Sequence, residues 1–163
     1  MKVMRWIETE VANAIKRGTD QLIWVTPSGF RVTQRLMKMN IKVLDLKLLG
    51  RVQIRVADGE KGVDLQHHKN ATAPNLIHSL DASLLHLCAT QFHAPISLIH
   101  DSVLCRATDM NLLSHLVRDT YMQLFTKHDF LNDFAQAIGA ESEPPIIGDL
   151  QPSSVIESLY FFC

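Results

Sequence analysis

The spacing of apolar residues along the chain predicts a mixture of helices and short strands. In residues 3–17 the apolar positions Met4, Ile7, Val11 and Ala14 recur every three or four residues. That spacing is typical of an amphipathic helix with one buried stripe. The periodicity then changes, and the next segments alternate in the manner of strands.

Residues 21–57 predict β-hairpins. Apolar runs at Leu22–Val25 and Phe30–Thr33 flank Thr-Pro-Ser-Gly, a sequence that favours a tight turn. From residue 41 to 57 apolar and basic residues alternate almost strictly, which predicts one or two strands with an apolar face and a cationic face. Residues 57–62 are polar and predict a loop.

In the second half of the chain, the pattern of apolar residues predicts three helices and one further hairpin. Pro74 is expected to occupy the first position of an apolar helix reaching Cys88, because proline is favoured at that position. The run Leu98–Leu104 predicts a hairpin with Asp101 at its tip. Asp109 is expected to cap the following helix.

After a shorter helix at 130–138, the chain ends in Tyr160-Phe161-Phe162-Cys163. Three aromatic residues predict that the tail docks on the body. The predicted class is therefore α+β, with helices packed on antiparallel hairpins in one 163-residue unit. Its predicted segments are a helix at 1–18, basic hairpins at 21–57, a helix at 72–92, a hairpin at 96–106, helices at 108–139 and a tail at 140–163.

Composition excludes some classes of protein and charge suggests a partner. The chain is 47% hydrophobic and 20% charged, which is ordinary for a globular domain, and no long apolar span or signal-peptide pattern is present. Three cysteines without CxxC spacing argue for a reducing compartment and against a structural zinc site. Net charge is −1, yet seven basic residues and one acid fall between Arg31 and Arg55. This segment fits either a polyanion-binding surface or a solvated sheet face.

Two places carry candidate chemistry. Asp101 sits in a predicted turn, where an aspartate commonly serves only local hydrogen bonding. His78 and Asp81 lie three apart on the predicted helix, close enough to act on one ligand. The alternative for this pair is a core histidine and a surface aspartate.

Three blocks together resemble the C-terminal end of bacteriophage-type single-subunit DNA-directed RNA polymerases, a family with relatives in mitochondria and chloroplasts. In chain order the blocks are Trp24-Val25-Thr26-Pro27-Ser28-Gly29-Phe30-Arg31-Val32, Ala73-Pro74-Asn75-Leu76-Ile77-His78-Ser79-Leu80-Asp81-Ala82-Ser83, and Leu98-Ile99-His100-Asp101-Ser102. The related DNA polymerases of the bacterial repair type carry His-Asp-Glu at the third block. Ser102 therefore favours the RNA polymerases.

The resemblance implies the C-terminal palm and fingers part of a right-hand polymerase. Asp101 would be one of two carboxylates that hold two Mg²⁺ ions for nucleotidyl transfer. His78 would contact the nascent base pair from its minor-groove side, with Asp81 and His100 beside the substrate and His100 shaping the turn. Template or hybrid phosphates would meet the basic residues Arg31, Arg35, Lys42, Lys47, Arg51 and Arg55.

The same resemblance implies partners and sets limits. The partners are a DNA template, an RNA transcript, NTPs and the remaining polymerase portion, with no membrane. The family's second catalytic aspartate, its substrate lysine and its ribose-sensing tyrosine have no match in this chain. We therefore expect the isolated chain to be inactive. The resemblance also implies a location in the cytoplasm of an infected bacterium, or alternatively in a mitochondrion or chloroplast. The alternatives are a non-catalytic nucleic-acid-binding remnant, a DNA polymerase palm fragment, and a plain structural domain.

Overall fold

The computed structural model describes residues 2–46, 52–146 and 148–161 and has a mixed α+β architecture. Helices pack against three separate two-stranded antiparallel sheets. In chain order the elements are α1 (Lys2–Lys16), β1 (Leu22–Val25), β2 (Arg31–Gln34), β3 (Met37–Leu46), β4 (Val52–Val63), α2 (Leu65–Gln91), β5 (Ile96–Ile99), β6 (Ser102–Cys105), a 3₁₀ turn (Ala107–Asp109), α3 (Met110–Lys127), α4 (Phe130–Ile138) and α5 (Ser154–Glu157).

The main core forms where α1, β1, α2 and α4 meet. Ile7, Val11 and Ala14 of α1 are buried, as the sequence predicts, while Met4 is 56% exposed and lies off the buried stripe. Trp24 of β1 packs edge-to-face on Phe134 of α4, with ring centroids 5.7 Å apart. This core holds the first hairpin against α2.

A buried carboxylate on α1 fixes the segment after α4. Glu10 is 2% exposed and accepts hydrogen bonds from the backbone N–H of Glu141 (2.8 Å) and the hydroxyl of Ser142 (2.5 Å). Burial alone raises the pKa of Glu10. The hydrogen bonds from Ser142 and Glu141, with the charge of Arg17, outweigh it and lower the pKa. Glu10 is therefore ionised and structural.

The turn between β1 and β2 lies on α2. Gly29 has φ +82°, a conformation that glycine adopts without strain, and its N–H donates to the carbonyl of Thr26 (2.8 Å). Ser28 of this turn lies within 3.3 Å of the Ser83 hydroxyl and of His86 Nδ1 on α2. The first matched block is thus positioned on the helix that carries the second.

The hairpin of β3 and β4 corrects two predictions. Residues 57–62, predicted as a polar loop, belong to β4, since pairing with β3 supplies the hydrogen bonds that a loop would lack. The cross-strand register also contradicts separate apolar and cationic faces. Lys42 pairs with Val56 and Val43 pairs with Arg55, so the two basic residues lie on opposite faces.

Helix α2 begins nine residues before Pro74, so the predicted start at Pro74 is wrong. Asp64 is the N-cap and accepts from the backbone N–H of His67 (3.0 Å). The first turns bury the polar residues His68 and Thr72 instead of an apolar stripe, which removes the pattern that sequence reasoning relies on. Pro74 lies inside the helix.

A second core lies between the end of α2 and α3, around Cys88, Phe92, Leu113 and Val117. Asp109 is the N-cap residue of α3 but makes no capping hydrogen bond. The N-cap predicted at 108–109 is confirmed in position, but the Asp109 carboxylate accepts from Arg106 Nε at 2.7 Å instead of from the helix backbone.

The C-terminal tail docks in part. Phe161 packs against Tyr121 of α3 with ring centroids 5.0 Å apart, and Arg118 donates to the carbonyls of Val155 and Ser158. Tyr160 is 90% exposed, so not every aromatic of the tail is covered. Phe162 and Cys163 lie outside the described residues.

Candidate active site

The candidate site is built on the tight turn of the β5–β6 hairpin. Ile99 pairs with Ser102, which leaves His100 and Asp101 as a two-residue turn. His100 has φ +58°. Among the residues that the structure describes, no other residue except glycine has positive φ. Positive φ at the first central residue, His100, but not at the second, Asp101, is the pattern of a type II′ turn, whose twist matches that of the flanking strands. The sequence thus places Asp101 at the tip by a backbone conformation that histidine tolerates only under constraint.

The Asp101 carboxylate is solvent-exposed and ionised. Its Oδ1 lies 3.4 Å from His100 Nδ1 and 3.4 Å from the Ser102 hydroxyl, and its side chain is 76% exposed. The hydrogen bond from His100, followed by backbone and Ser102 contributions, lowers the pKa of Asp101. An accessible carboxylate of this kind can bind a hard cation.

Helix α2 brings a second set of side chains to the same place. His78, Asp81 and Ala82 line a cavity of about 220 Å³ together with His100 and Asp101. The rings of His78 and His100 are nearly perpendicular, with centroids 6.4 Å apart. The four residues that the sequence singles out for the site therefore meet around one open cavity.

The core-histidine alternative applies to a different residue. His78 is exposed to this cavity, whereas His68, ten residues earlier on α2, is fully buried and hydrogen-bonded to Leu36 N–H at 3.1 Å. Burial lowers the pKa of His68, with a further contribution from His67, so its imidazole is neutral. His78 is thus available to a ligand and His68 is structural.

The donor set in this chain fits only part of a metal site. Asp101 offers carboxylate oxygen, the ligand that Mg²⁺ prefers. In the three described ranges no group of three or more His, Cys, Asp or Glu side chains is arranged to hold a metal ion. Asp101 can therefore be one ligand, with the others supplied from elsewhere.

The predicted phosphate-contacting residues are dispersed. Arg31 is exposed at the start of β2, while Lys42 and Arg55 lie on opposite faces of the β3–β4 hairpin. Arg35 forms a bidentate pair with Glu60 (2.7 Å for both contacts) and approaches Asp20 (3.5 Å), and the Glu60 hydrogen bond raises its pKa. Its geometry clamps the base of the hairpin. Lys47 and Arg51 lie outside the described residues.

Sequence reasoning missed a neighbouring site residue on α2. Asn75 lines a second cavity, of about 450 Å³, which has His78 in its wall as well. The available signal was spacing, because Asn75, His78 and Asp81 recur every third residue and so lie along one side of a helix.

The described part of the chain contains no helix long and apolar enough to cross a membrane.

Comparison with known proteins identifies the family. The model of the DNA-dependent RNA polymerase family matches residues 2–144. The polymerase of Pseudomonas phage phiKMV is 29% identical over 163 residues, which cover 98% of this chain and 20% of that protein. The chloroplastic/mitochondrial polymerase 2 of Arabidopsis thaliana is 28% identical over 98% of this chain and 16% of its own length. The polymerase of Enterobacteria phage T3 is 32% identical over 68% of this chain and 14% of its own length. The chain therefore spans a fifth or less of these relatives, and it belongs to the phage-type DNA-dependent RNA polymerase family.

Proposed function

We propose that this chain is the C-terminal catalytic part of a DNA-directed RNA polymerase and that it contributes Asp101 to nucleotidyl transfer. The observation that carries the proposal is the shared cavity: His78 and Asp81 come from one helix, His100 and Asp101 from a turn 20 residues later, and all four line it. The family membership supplies the reaction class.

Asp101 is the proposed metal ligand. Its carboxylate is exposed and its pKa is lowered by His100, so it is ionised at neutral pH without a proton having to leave. Mg²⁺, when bound, would activate the attacking 3′-hydroxyl and neutralise the leaving pyrophosphate. The turn presents the carboxylate away from the core, where a second ligand-bearing segment can approach it.

His78 is the proposed contact to the nascent base pair. It stands across the cavity from His100, at a centroid distance of 6.4 Å. The minor-groove edges of all Watson–Crick pairs carry acceptors in similar places, so a donor there checks pairing geometry without reading sequence. Asp81, one helical turn further along α2, would border the substrate on the same side.

Activity requires the remaining polymerase portion in this proposal. One carboxylate cannot hold two ions, and the described residues contain no three-ligand cluster. The partners are a DNA template, an RNA transcript, NTPs and a polypeptide that supplies the second carboxylate. The proposed contacts to nucleic-acid phosphates are Arg31, Lys42 and Arg55. Phosphates attract basic side chains wherever they are exposed, so residues on both faces of the hairpin can contribute.

A primer-extension experiment tests this proposal. The purified chain, given an RNA primer on a DNA template with Mg²⁺ and NTPs, should synthesise no RNA alone and should do so once the remaining portion of a phage-type polymerase is added. Asp101→Asn should reduce the rate on the order of 10³-fold, because a metal contributes several kcal/mol at the transition state. Hybrid binding should be unchanged.

Asp58→Asn is the matched control, since Asp58 is an exposed aspartate on β4 that does not line the cavity. It should leave the rate within about twofold of wild type, as expected of a surface change. Robust synthesis by the chain alone, or an Asp101→Asn enzyme as fast as the control, would contradict the proposal. Binding without any catalysis in the complete mixture would favour the non-catalytic remnant.

A further inference from the structure

A second cavity lies beside the candidate active site. It measures about 450 Å³ and is lined by residues 32–36, Asn75, His78 and Ser79. His78 belongs to the walls of both cavities, so the two cavities are neighbours. A nucleic-acid strand that contacts His78 in one cavity is therefore close to the other.

Three polar side chains of this second cavity, those of Gln34, Arg35 and Ser79, are already engaged. The Ser79 hydroxyl donates to the Leu76 carbonyl (2.7 Å) and accepts from Trp24 Nε1 (3.1 Å). The Arg35 guanidinium is held by Glu60. Asn75 differs, because its Nδ2 donates to Gln34 Oε1 (2.7 Å) while no hydrogen bond to its Oδ1 is found within the described ranges. Its carbonyl oxygen is therefore a fixed, exposed acceptor.

A buried polar network holds the Asn75 amide. Gln34 is 5% exposed, and its amide donates to Thr72 Oγ1 (2.8 Å) and lies 3.2 Å from His68 Nδ1. Thr72 in turn donates to the His68 carbonyl (2.6 Å). The hydrogen bonds from Gln34 to Thr72 and from Asn75 to Gln34 hold the Asn75 amide in place. The exposed end of that network is the Asn75 side chain, which is how a binding group is preorganised.

The Asn75 Oδ1 acceptor next to His78 can bind a ligand that presents a hydrogen-bond donor. In the minor groove the only base donor is the guanine amino group, whereas every ribose offers a 2′-hydroxyl. A site that serves all sequences requires the group present at every nucleotide. Resting on the proposed function, we propose that Asn75 Oδ1 accepts a hydrogen bond from a ribose 2′-hydroxyl of the RNA strand in the RNA–DNA hybrid.

Helix geometry sets the position of that ribose. Asn75 precedes His78 by three residues, or about 4.5 Å along the helix axis. Successive nucleotides of one strand are about 3.4 Å apart along B-form DNA, and the spacing in an A-like RNA–DNA hybrid is of the same order. The contacted ribose should therefore lie within about two nucleotides of the one next to His78.

Binding of chemically modified hybrids tests this inference. The polymerase reconstituted from this chain and the remaining portion is titrated into fluorescently labelled RNA–DNA hybrids that carry a single 2′-deoxy substitution, moved stepwise from the RNA 3′ end. Wild type should lose about threefold to tenfold in affinity at one or two adjacent positions near that end, the range of one neutral hydrogen bond. Asn75→Ala should bind the all-RNA strand more weakly by the same factor and be insensitive to every substitution.

Asn70→Ala is the matched control. Asn70 is an exposed asparagine on the same helix that accepts from Gln66 (2.9 Å) and lines neither cavity. This variant should reproduce the wild-type pattern, and far-ultraviolet circular dichroism should show equal helix content in all three proteins.

The outcomes separate this inference from the proposed function. Hybrid binding by wild type without any position sensitive to 2′-deoxy substitution, or sensitivity that persists in Asn75→Ala, overturns the role of Asn75 and leaves the proposed function intact. Failure of the reconstituted polymerase to bind any hybrid contradicts the proposed function and the inference with it.

Discussion

At the scale of single residues, the backbone of His100 accounts for the placement of Asp101. A positive φ at a non-glycine residue costs on the order of 1 kcal/mol and persists only when its surroundings enforce it. Here the flanking pairs Leu98–Val103 and Ile99–Ser102 enforce a two-residue turn. The histidine therefore has two separable effects, since its backbone forms the turn and its ring lowers the pKa of the Asp101 carboxyl.

Substitution of His100 should separate backbone strain from the ring contact. His100→Gly should be as stable as wild type or slightly more so, because glycine adopts positive φ freely. His100→Val should lose about 1–2 kcal/mol of unfolding free energy, because a β-branched residue is strained there. Urea denaturation of the three proteins measures the difference, and equal stability of the Gly and Val variants would show that the turn does not require positive φ.

At the scale of elements, helix α2 shows where sequence patterns work and where they do not. The apolar stripe from Leu76 to Cys88 predicts its second half. Its first turns bury polar side chains that gain partners only in the folded chain, as His68 does from Leu36. No local pattern reports such a contact, so Pro74 gave a false helix start.

The predicted apolar and cationic faces of the β3–β4 hairpin were wrong for a related reason. Alternation predicts strands but not their register, and only the register shows that Lys42 and Arg55 face opposite ways. The prediction of the β5–β6 hairpin was correct because its two apolar arms leave room for only a short turn. Helical spacing made His78 and Asp81 candidates for one site, and the resemblance to the family gave His78 its expected role.

The neutral state of His68 predicts a pH-dependent stability. Its pKa in the folded chain is lowered from the ordinary value of 6.5, so the unfolded chain binds the proton more readily. This contribution is fully present above about pH 6.5 and is lost as the pH falls below it, with a slope of at most about 1.4 kcal/mol per pH unit. Asp64 opposes the shift only in part.

Urea denaturation between pH 7.5 and pH 5 measures this dependence. His68→Gln should be less stable than wild type at neutral pH, since the acceptor for Leu36 N–H changes, and its stability should fall less toward acid. His115→Gln, at an exposed histidine on α3, should keep the wild-type slope. A His68→Gln variant with an unchanged slope would show that another group is responsible.

At the scale of the whole molecule, the chain is an α+β unit whose packing serves one exposed site. Glu10 ties the segment after α4 to α1, and Trp24 ties the first hairpin to α4 and, through Ser79, to α2. These contacts hold α2, which carries Asn75, His78 and Asp81. The hairpin with Asp101 meets that helix at the cavity.

The most direct measurement of the central claim locates the metal in the assembled enzyme. Fe²⁺ in place of Mg²⁺, with ascorbate and peroxide, generates radicals that cut the polypeptide beside the bound ion. In the reconstituted polymerase on a template hybrid, our account predicts cuts at His100–Ser102 and near His78–Asp81 that Mg²⁺ competes away and that Asp101→Asn abolishes. Cuts elsewhere in the chain only, or cuts at the turn that survive Asp101→Asn, would contradict the assignment of Asp101 as a metal ligand.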